Sequence, residues 1–191
     1  KNEVLMERAI TLNPMLFLRL EEPSDRLVYT ALYHGFIPER RHFIDYPYLK
    51  TKNFLIRKAF ESDPSVIVYF EKEQLTFKTI MSARERGYIA SEQDLLENPN
   101  LCNADFIMED AIRNNPKFIT LMGEFCQIDF TLLVDALKKY KITKQDLERN
   151  PALTRNFTFI SMLPDFSLYS AYLTDEEKEK AIANVLKKSH I

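Results

Sequence analysis

Residues that could support acid–base, metal or redox chemistry are few and scattered in this sequence. The three histidines, His34, His42 and His190, have no metal-ligand spacing to one another or to a cysteine. Cys102 and Cys126 are too few for a disulfide framework, and buried reduced thiols explain them more simply than a redox pair. We therefore expect solvated histidines, no catalytic residue, no metal site and no cofactor.

Carboxylates and phosphate-binding loops give no clearer signal. The acidic pair Glu109-Asp110 and the run Asp175-Glu176-Glu177 stand near expected helix starts, where the helix dipole stabilises negative charge. The sequence has no Gly-x-Ser-x-Gly, Walker or His-Glu-x-x-His motif, and three glycines leave little material for a phosphate loop. These observations predict a protein that is not an enzyme.

Basic side chains form one candidate binding surface. They gather near the C-terminal end of the third helix that we expect in each of three related segments: Arg40, Arg41, Arg84, Arg86, Lys138, Lys139, Lys141 and Lys144. Complementation of helix dipoles explains them without any ligand. In a stacked array, however, equivalent positions would form a basic ridge for nucleic acid, although a net charge of −2 provides no global attraction.

Aromatic side chains form a second candidate surface, this one for a protein partner. Several cluster near the start of the chain beyond what the repeat pattern requires: Tyr29, Tyr33, Phe36, Tyr46 and Tyr48. Exposed tyrosines are typical of protein-binding sites. The alternative is that these large residues close the end of the array.

The elements that must position both surfaces come from an internal repeat of about 52 residues. Pro47, Pro99 and Pro151 stand 52 residues apart, and an alanine lies five residues before each of three further prolines: Ala9, Ala59 and Ala111 precede Pro14, Pro64 and Pro116. We divide the chain into three segments, approximately 2–52, 53–104 and 105–156, and a C-terminal cap, 157–191. The cap should contain a charged helix from Thr174 to Lys188.

Each segment is predicted to contain about four short helices. Asn-Pro and Asp-Pro steps are typical helix starts, since Asn and Asp cap well and proline is favoured at the first helical position. Gly35 and Gly87 should end the third helix in the first two segments. Ser91 and Asp94 predict a capping box on the fourth helix. Residues 66–70 are predicted to be helical rather than a strand, because the aligned residues look helical.

The predicted fold is all-α, a single helical-repeat domain over residues 1–191 that resembles an α-solenoid, with Ala59 and Ala111 buried at helix crossings. A chain that opens on Lys1 suggests a fragment of a longer protein. No apolar run is long enough for a membrane span and no signal peptide is visible, so we expect a cytoplasmic setting. The sequence leaves the oligomeric state open.

The functional prediction is a non-catalytic scaffold that binds a protein partner, with nucleic-acid binding through the basic ridge as the alternative. The stretch YKITKQDLERNPALTRNFTFI, which begins at Tyr140, resembles part of the helical repeats of mitochondrial transcription terminators. Proteins of that type bind nucleic acid, and the resemblance therefore implies the alternative function. It covers only the second half of each segment.

Overall fold

The computed structural model describes residues 3–160 together with residues 162, 175 and 176. Within these residues every regular element is helical and no β-strand is present, which confirms the all-α prediction. Among the described helices, none has the length and apolar composition that crossing a bilayer requires. The predicted capping helix lies almost wholly outside the described residues.

Ten α-helices run through the described part of the chain: α1 Glu3–Leu12, α2 Asp25–Tyr33, α3 Arg40–Asp45, α4 Asn53–Ser62, α5 Phe77–Glu85, α6 Glu92–Glu97, α7 Asp105–Asn114, α8 Phe130–Lys139, α9 Lys144–Arg149 and α10 Phe157–Ile160. Seven 3-10 helices lie between them: Pro14–Arg19, Pro47–Thr51, Pro64–Tyr69, Lys72–Gln74, Pro99–Asn103, Pro116–Leu121 and Pro151–Thr154. The order α, 3-10, α, α, 3-10 occurs in 3–51, again in 105–154, and in 53–103 with one extra 3-10 turn.

Proline marks helix starts as predicted, but the helices that it starts are 3-10 helices. In Asn98-Pro99, for example, the Asn98 side chain accepts the N–H of Asn100, two residues on. Asn13, Asp63, Asn115 and Asn150 make the same bond in their own Asx-Pro steps. The side chain thus satisfies an early N–H group and proline supplies none, which stabilises the tight first turn.

Glycine ends two of the helices as the sequence predicts. Gly35 follows α2 and Gly87 follows α5, with φ angles of 97° and 81°. Residues with a Cβ rarely adopt this left-handed conformation, so glycine is the natural residue at both positions. α8 ends differently, because Tyr140 continues with extended backbone and no glycine is needed.

The chain divides into two compact units, the first ending at Tyr69 and the second beginning at Phe70. The division falls inside the second sequence segment, between its first and third helices. In the first compact unit α1 packs on α2, and α4 packs on the two 3-10 helices that flank it. The fully buried side chains there include Phe17, Val28, Phe43, Leu49 and Leu55.

In the second compact unit α7 packs against both α5 and α8. Two asparagines of this unit make equivalent long-range hydrogen bonds. The Nδ2 group of Asn98 donates to the carbonyl of Phe70 at 2.7 Å, and that of Asn150 donates to the carbonyl of Met122 at 3.0 Å. Each of these asparagines therefore caps its own 3-10 helix and also satisfies a carbonyl 28 residues earlier.

The predicted burial of Ala59 and Ala111 is confirmed, and the third alanine of the repeat differs from them. Ala59 in α4 and Ala111 in α7 are fully buried, whereas Ala9 in α1 is only half-buried. A fully buried alanine leaves no room for a larger side chain without moving its neighbours. The first helix is therefore less tightly covered than its two counterparts.

Candidate protein-interaction surface

The predicted aromatic cluster divides into an exposed pair and a buried residue. Tyr29 and Tyr33 lie one turn apart on α2 and are 54% and 87% exposed. Phe36, in contrast, is buried, and its ring packs edge-on against Phe17 at 4.7 Å between centroids. Its assignment to the partner-binding surface is therefore wrong, because this ring belongs to the core of the first compact unit.

The exposed pair borders a cleft of about 660 Å³ between α1 and α2. Val4, Glu7 and Arg8 line it from α1, and Arg26 joins the tyrosines on α2. Arg26 donates two hydrogen bonds to the Glu7 carboxylate, at 2.6 and 3.2 Å, and so ties the two helices together. The cleft therefore combines aromatic faces with a fixed pair of opposite charges.

Both tyrosine rings are oriented by contacts with neighbouring side chains. Tyr29 stacks on Phe54 of α4, with centroids 4.3 Å apart and an interplanar angle of 14°. Tyr33 meets His34 edge-on at 5.1 Å. Aromatic side chains that are already ordered lose little conformational entropy on binding, which makes them effective contact residues.

Tyr46 and Tyr48 form a separate pair that is half-buried. Their rings meet at 6.3 Å beside the start of the 3-10 helix Pro47–Thr51. The Oη atom of Tyr48 is buried and has no hydrogen-bond partner among the described atoms, and burial raises the pKa of this phenol. The environment of Tyr48 is that of a packing residue, so the structure does not gather all the predicted tyrosines on one exposed face.

His42, predicted to be a solvated surface histidine, is buried and caps a helix. Its Nδ1 atom accepts the backbone N–H of Glu39 at 2.9 Å in a capping box at the start of α3. Burial lowers the pKa of the imidazole, the nearby Arg41 adds to that shift, and the carboxylates of Glu39 and Asp45 oppose it. Nδ1 must carry no proton to accept this hydrogen bond, so the imidazole is neutral.

An aspartate occupies the same capping position in α6 and α9, which also have six residues each. Asp94 accepts the N–H of Ser91 at the start of α6, and Asp146 accepts that of Thr143 at the start of α9. Both carboxylates are buried. The capping box predicted from Ser91 and Asp94 is confirmed, and it is a feature of the three six-residue helices, α3, α6 and α9.

The residues of the predicted basic ridge do not all lie at the C-terminal ends of helices. Arg40 and Arg41 open α3 and Lys144 opens α9, so these three lie at helix starts, where the dipole disfavours positive charge. Their placement at the ends of third helices was wrong, because a new short helix begins at Arg40 and another at Lys144. Arg84 and Arg86 do lie at the end of α5, as predicted.

Several of the predicted basic residues are already paired with carboxylates. Arg84 binds Asp110 of α7 through two hydrogen-bonding contacts, at 2.6 and 2.9 Å, and its guanidinium lies over the Phe106 ring. Exposed ion pairs join three others to acidic neighbours: Arg41 to Glu39, Lys138 to Asp135 and Lys144 to Glu148. Lys139 and Lys141 are exposed at the end of α8 and just beyond it.

The acidic pair Glu109-Asp110 lies in the middle of α7 and not at a helix start. Glu109 accepts the backbone N–H of Asp129 at 3.1 Å, and Asp110 binds Arg84 and Arg113. These carboxylates join α7 to its neighbours on both sides. Their interpretation as dipole-stabilised residues at a helix start is therefore wrong.

The two cysteines are buried and free, as the sequence predicted. Burial raises the pKa of the Cys102 thiol to about 11, and it raises the pKa of Cys126 further. Thiols in such surroundings are poor nucleophiles at neutral pH. The described residues contain no cluster of three or more His, Cys, Asp or Glu side chains that could hold a metal ion.

Comparison with protein-family models, with curated proteins and with solved structures finds no match to this chain. The candidate site therefore stands on the geometry of the first compact unit. Val4, which lines the cleft, was not predicted from the sequence as part of the site. Leu5 beside it aligns with the buried Leu55 and Ile107 of the later segments, yet Val4 and Leu5 are both more than half exposed on α1.

Proposed function

We propose that this chain is a non-catalytic helical-repeat module that binds a protein partner through the cleft between α1 and α2. The observation that carries this proposal is the pair Tyr29 and Tyr33, two exposed rings that border an open cleft, of which Tyr29 stacks on Phe54. Ordered tyrosines are among the side chains that contribute most to protein–protein binding energy.

The recurrent helix order supports an α-solenoid-like array of three degenerate repeats. In the first compact unit α2 touches both α1 and, through Tyr29, the Phe54 side chain of α4. In the second, α7 touches both α5 and α8, so first and third helices alternate in contact in both units. Short helices cannot bury their apolar faces alone, and stacking on neighbouring repeats is the usual solution. Such arrays most often serve as binding scaffolds, and we place this one in the cytoplasm.

Nucleic-acid binding through the basic residues is the second candidate, and less supports it. Arg84 is committed to Asp110 and Phe106, and Arg41, Lys138 and Lys144 have acidic neighbours. The net charge of −2 adds no long-range attraction to phosphate. Lys139 and Lys141 remain as exposed cations that could contact a nucleic acid.

Two binding assays on the same variants separate the candidates. We expect the Tyr29→Ala, Tyr33→Ala double variant to abolish capture of a specific protein from lysate, and the Lys138→Glu, Lys139→Glu variant to retain it. In the second assay the chain is titrated with single- and double-stranded oligonucleotides at two salt concentrations. Micromolar, salt-sensitive binding that the lysine substitutions weaken and the tyrosine substitutions spare would contradict the proposal.

A further inference from the structure

One exposed aromatic side chain of the second compact unit, Phe125, projects from a loop rather than from a helix. Phe125 is 74% exposed in the loop that joins the 3-10 helix Pro116–Leu121 to α8. This loop has no regular structure of its own. A large apolar side chain that points into solvent from such a loop needs a framework to keep its backbone in place, and side chains from outside the loop provide one.

The framework consists of hydrogen bonds from side chains outside the loop. The N–H of Phe125 donates to Oδ1 of Asn103 at 3.1 Å, and the N–H of Gln127 donates to Asp105 at 2.8 Å. From the other side, Nδ2 of Asn156 donates to the carbonyls of Gly123 and Cys126, at 3.0 and 2.8 Å. Asn156 is itself 2% exposed, so these bonds are shielded from water.

Gly123 lets the loop approach this framework closely. A Cβ atom at this position would lie 2.1 Å from Oδ1 of Asn103, which is far below van der Waals contact. The N–H of Gly123 also donates to the carbonyl of Cys102 at 2.8 Å. Side-chain and backbone contacts therefore fix the loop on both sides of Phe125, and the backbone that carries the exposed ring is pre-organised.

Phe125 separates two apolar clefts that share its ring and Asn103. The first, of about 410 Å³, is lined by Leu75, Ile80 and Ala104 among others. The second, of about 440 Å³, is mostly apolar and is lined by the following side chains, among others: Leu95, Leu96, Pro99, Leu121, Met122 and Ala152. An ordered aromatic ring between two apolar clefts has the geometry of a binding hot spot.

The charges on the rim of these clefts indicate the partner. Lys72 borders the first cleft, and Glu124 and Arg149 border the second. Glu124 is already paired with Arg155, whereas neither Lys72 nor Arg149 forms an ion pair with any described carboxylate. The rim therefore carries two basic side chains that form no ion pair with the described carboxylates, one beside each cleft.

We propose that this surface binds a peptide segment of a partner protein with apolar side chains at its centre and acidic residues on both flanks. The apolar side chains would fill the clefts on either side of Phe125. The acidic flanks would meet Lys72 at one end and Arg149 at the other. This surface is distinct from the Tyr29–Tyr33 cleft, and its test does not depend on that cleft.

The test uses a phage-displayed library of short random peptides selected against the whole chain. We expect the selected sequences to share an apolar centre with Asp or Glu on both sides. A synthetic peptide of the consensus sequence should bind the Phe125→Ser variant about tenfold more weakly than the native chain. The Lys72→Glu, Arg149→Glu variant should lose the preference for acidic over basic flanks.

Phe77→Ser is the matched control, because Phe77 is also largely exposed in the same compact unit but lines neither cleft. It should bind the consensus peptide like the native chain, and all variants should keep the native melting temperature. The proposal is overturned if no peptide is selected or if the flanks are neutral or basic. Unchanged affinity for Phe125→Ser would overturn it equally.

Discussion

The two exposed aromatic surfaces are supported in opposite ways. Tyr29 and Tyr33 project from a regular helix, so the backbone beneath them satisfies its own hydrogen bonds. Phe125 projects from an irregular loop, whose amides and carbonyls are satisfied by Asn103, Asp105 and Asn156. The helix-borne surface depends on packing, and the loop-borne surface depends on a few buried polar side chains. Point substitutions should therefore affect the two surfaces separately.

The largest effect is expected where the loop framework is broken. Asn156→Ala removes two donated hydrogen bonds and the bond that its Oδ1 accepts from the N–H of Phe159, so three buried backbone groups each lose a hydrogen bond. Each such group costs about 1–3 kcal/mol, so we expect a loss of about 3 kcal/mol in the free energy of unfolding. Urea denaturation measures it. The control Asn114→Ala, at an exposed position, should change stability by less than about 0.5 kcal/mol; similar values for the two variants would refute the framework.

The next largest effect distinguishes the first helices of the segments. Ala111→Phe should cost about 1–3 kcal/mol, because Ala111 is fully buried and a phenyl ring must displace its neighbours. Ala9→Phe should cost less, since Ala9 is half-buried on the less covered α1. Thermal melts of both variants provide the comparison. Equal losses would mean that α1 is packed as tightly as α7.

A smaller loss of stability, which depends on pH, should distinguish the histidine cap of α3 from the aspartate caps of α6 and α9. The folded pKa of His42 lies below its ordinary value of 6.5, so the unfolded chain binds the proton more readily. The stabilisation from this neutral histidine is therefore fully present above pH 6.5 and is lost as the pH falls through the folded pKa. A helix cap contributes about 1 kcal/mol, which sets the scale of the loss.

The matched variant is His42→Asp, which copies the residue at the caps of α6 and α9. Its carboxylate stays ionised to about pH 4, so the variant should lose less stability than the native chain between neutral pH and about pH 5. His34→Asn, at an exposed histidine, should leave the native pH dependence unchanged. Identical melting-temperature profiles for His42→Asp and the native chain would exclude His42 as the source of the pH dependence.

The smallest effect concerns the tyrosines themselves. Tyr48→Phe removes a buried hydroxyl that has no partner among the described atoms, so it should leave stability unchanged or raise it by about 1 kcal/mol. Tyr29→Phe, at an exposed hydroxyl, should have no measurable effect. Chemical denaturation distinguishes them. A marked loss of stability in Tyr48→Phe would contradict this interpretation of the Tyr48 hydroxyl.

Much of the helix map could be predicted from sequence, because its signals are local. Proline with a preceding Asn or Asp, a glycine after the third helix and the Ser91–Asp94 spacing each act within a few residues. The type of helix could not be predicted, since 3-10 and α-helices begin with the same residues. The cap made by His42 was missed because histidine is an unusual capping residue, although its alignment with Asp94 and Asp146 was available as a signal.

The candidate surfaces were harder to predict because exposure depends on long-range packing. Phe36 and Tyr33 differ by three positions, yet one is in the core and the other is in solvent. The hydrogen-bond framework around Phe125 joins residues 22 to 33 positions apart, and no periodic pattern in the sequence marks such pairs. The third glycine, Gly123, was a visible signal of close backbone approach, but it did not identify the contacting residue.

Site-specific photocrosslinking tests the central claim, protein binding at the α1–α2 cleft, most directly. The photoreactive residue p-benzoylphenylalanine replaces Tyr33 in one variant and Lys58, an exposed residue on α4, in the control. On irradiation in cells, the Tyr33 variant should form a discrete adduct with one protein, and the Lys58 variant should not. Adding Tyr29→Ser should abolish the adduct. A nuclease-sensitive adduct, or adducts of equal intensity at both positions, would contradict the assignment of this cleft as a protein-binding site.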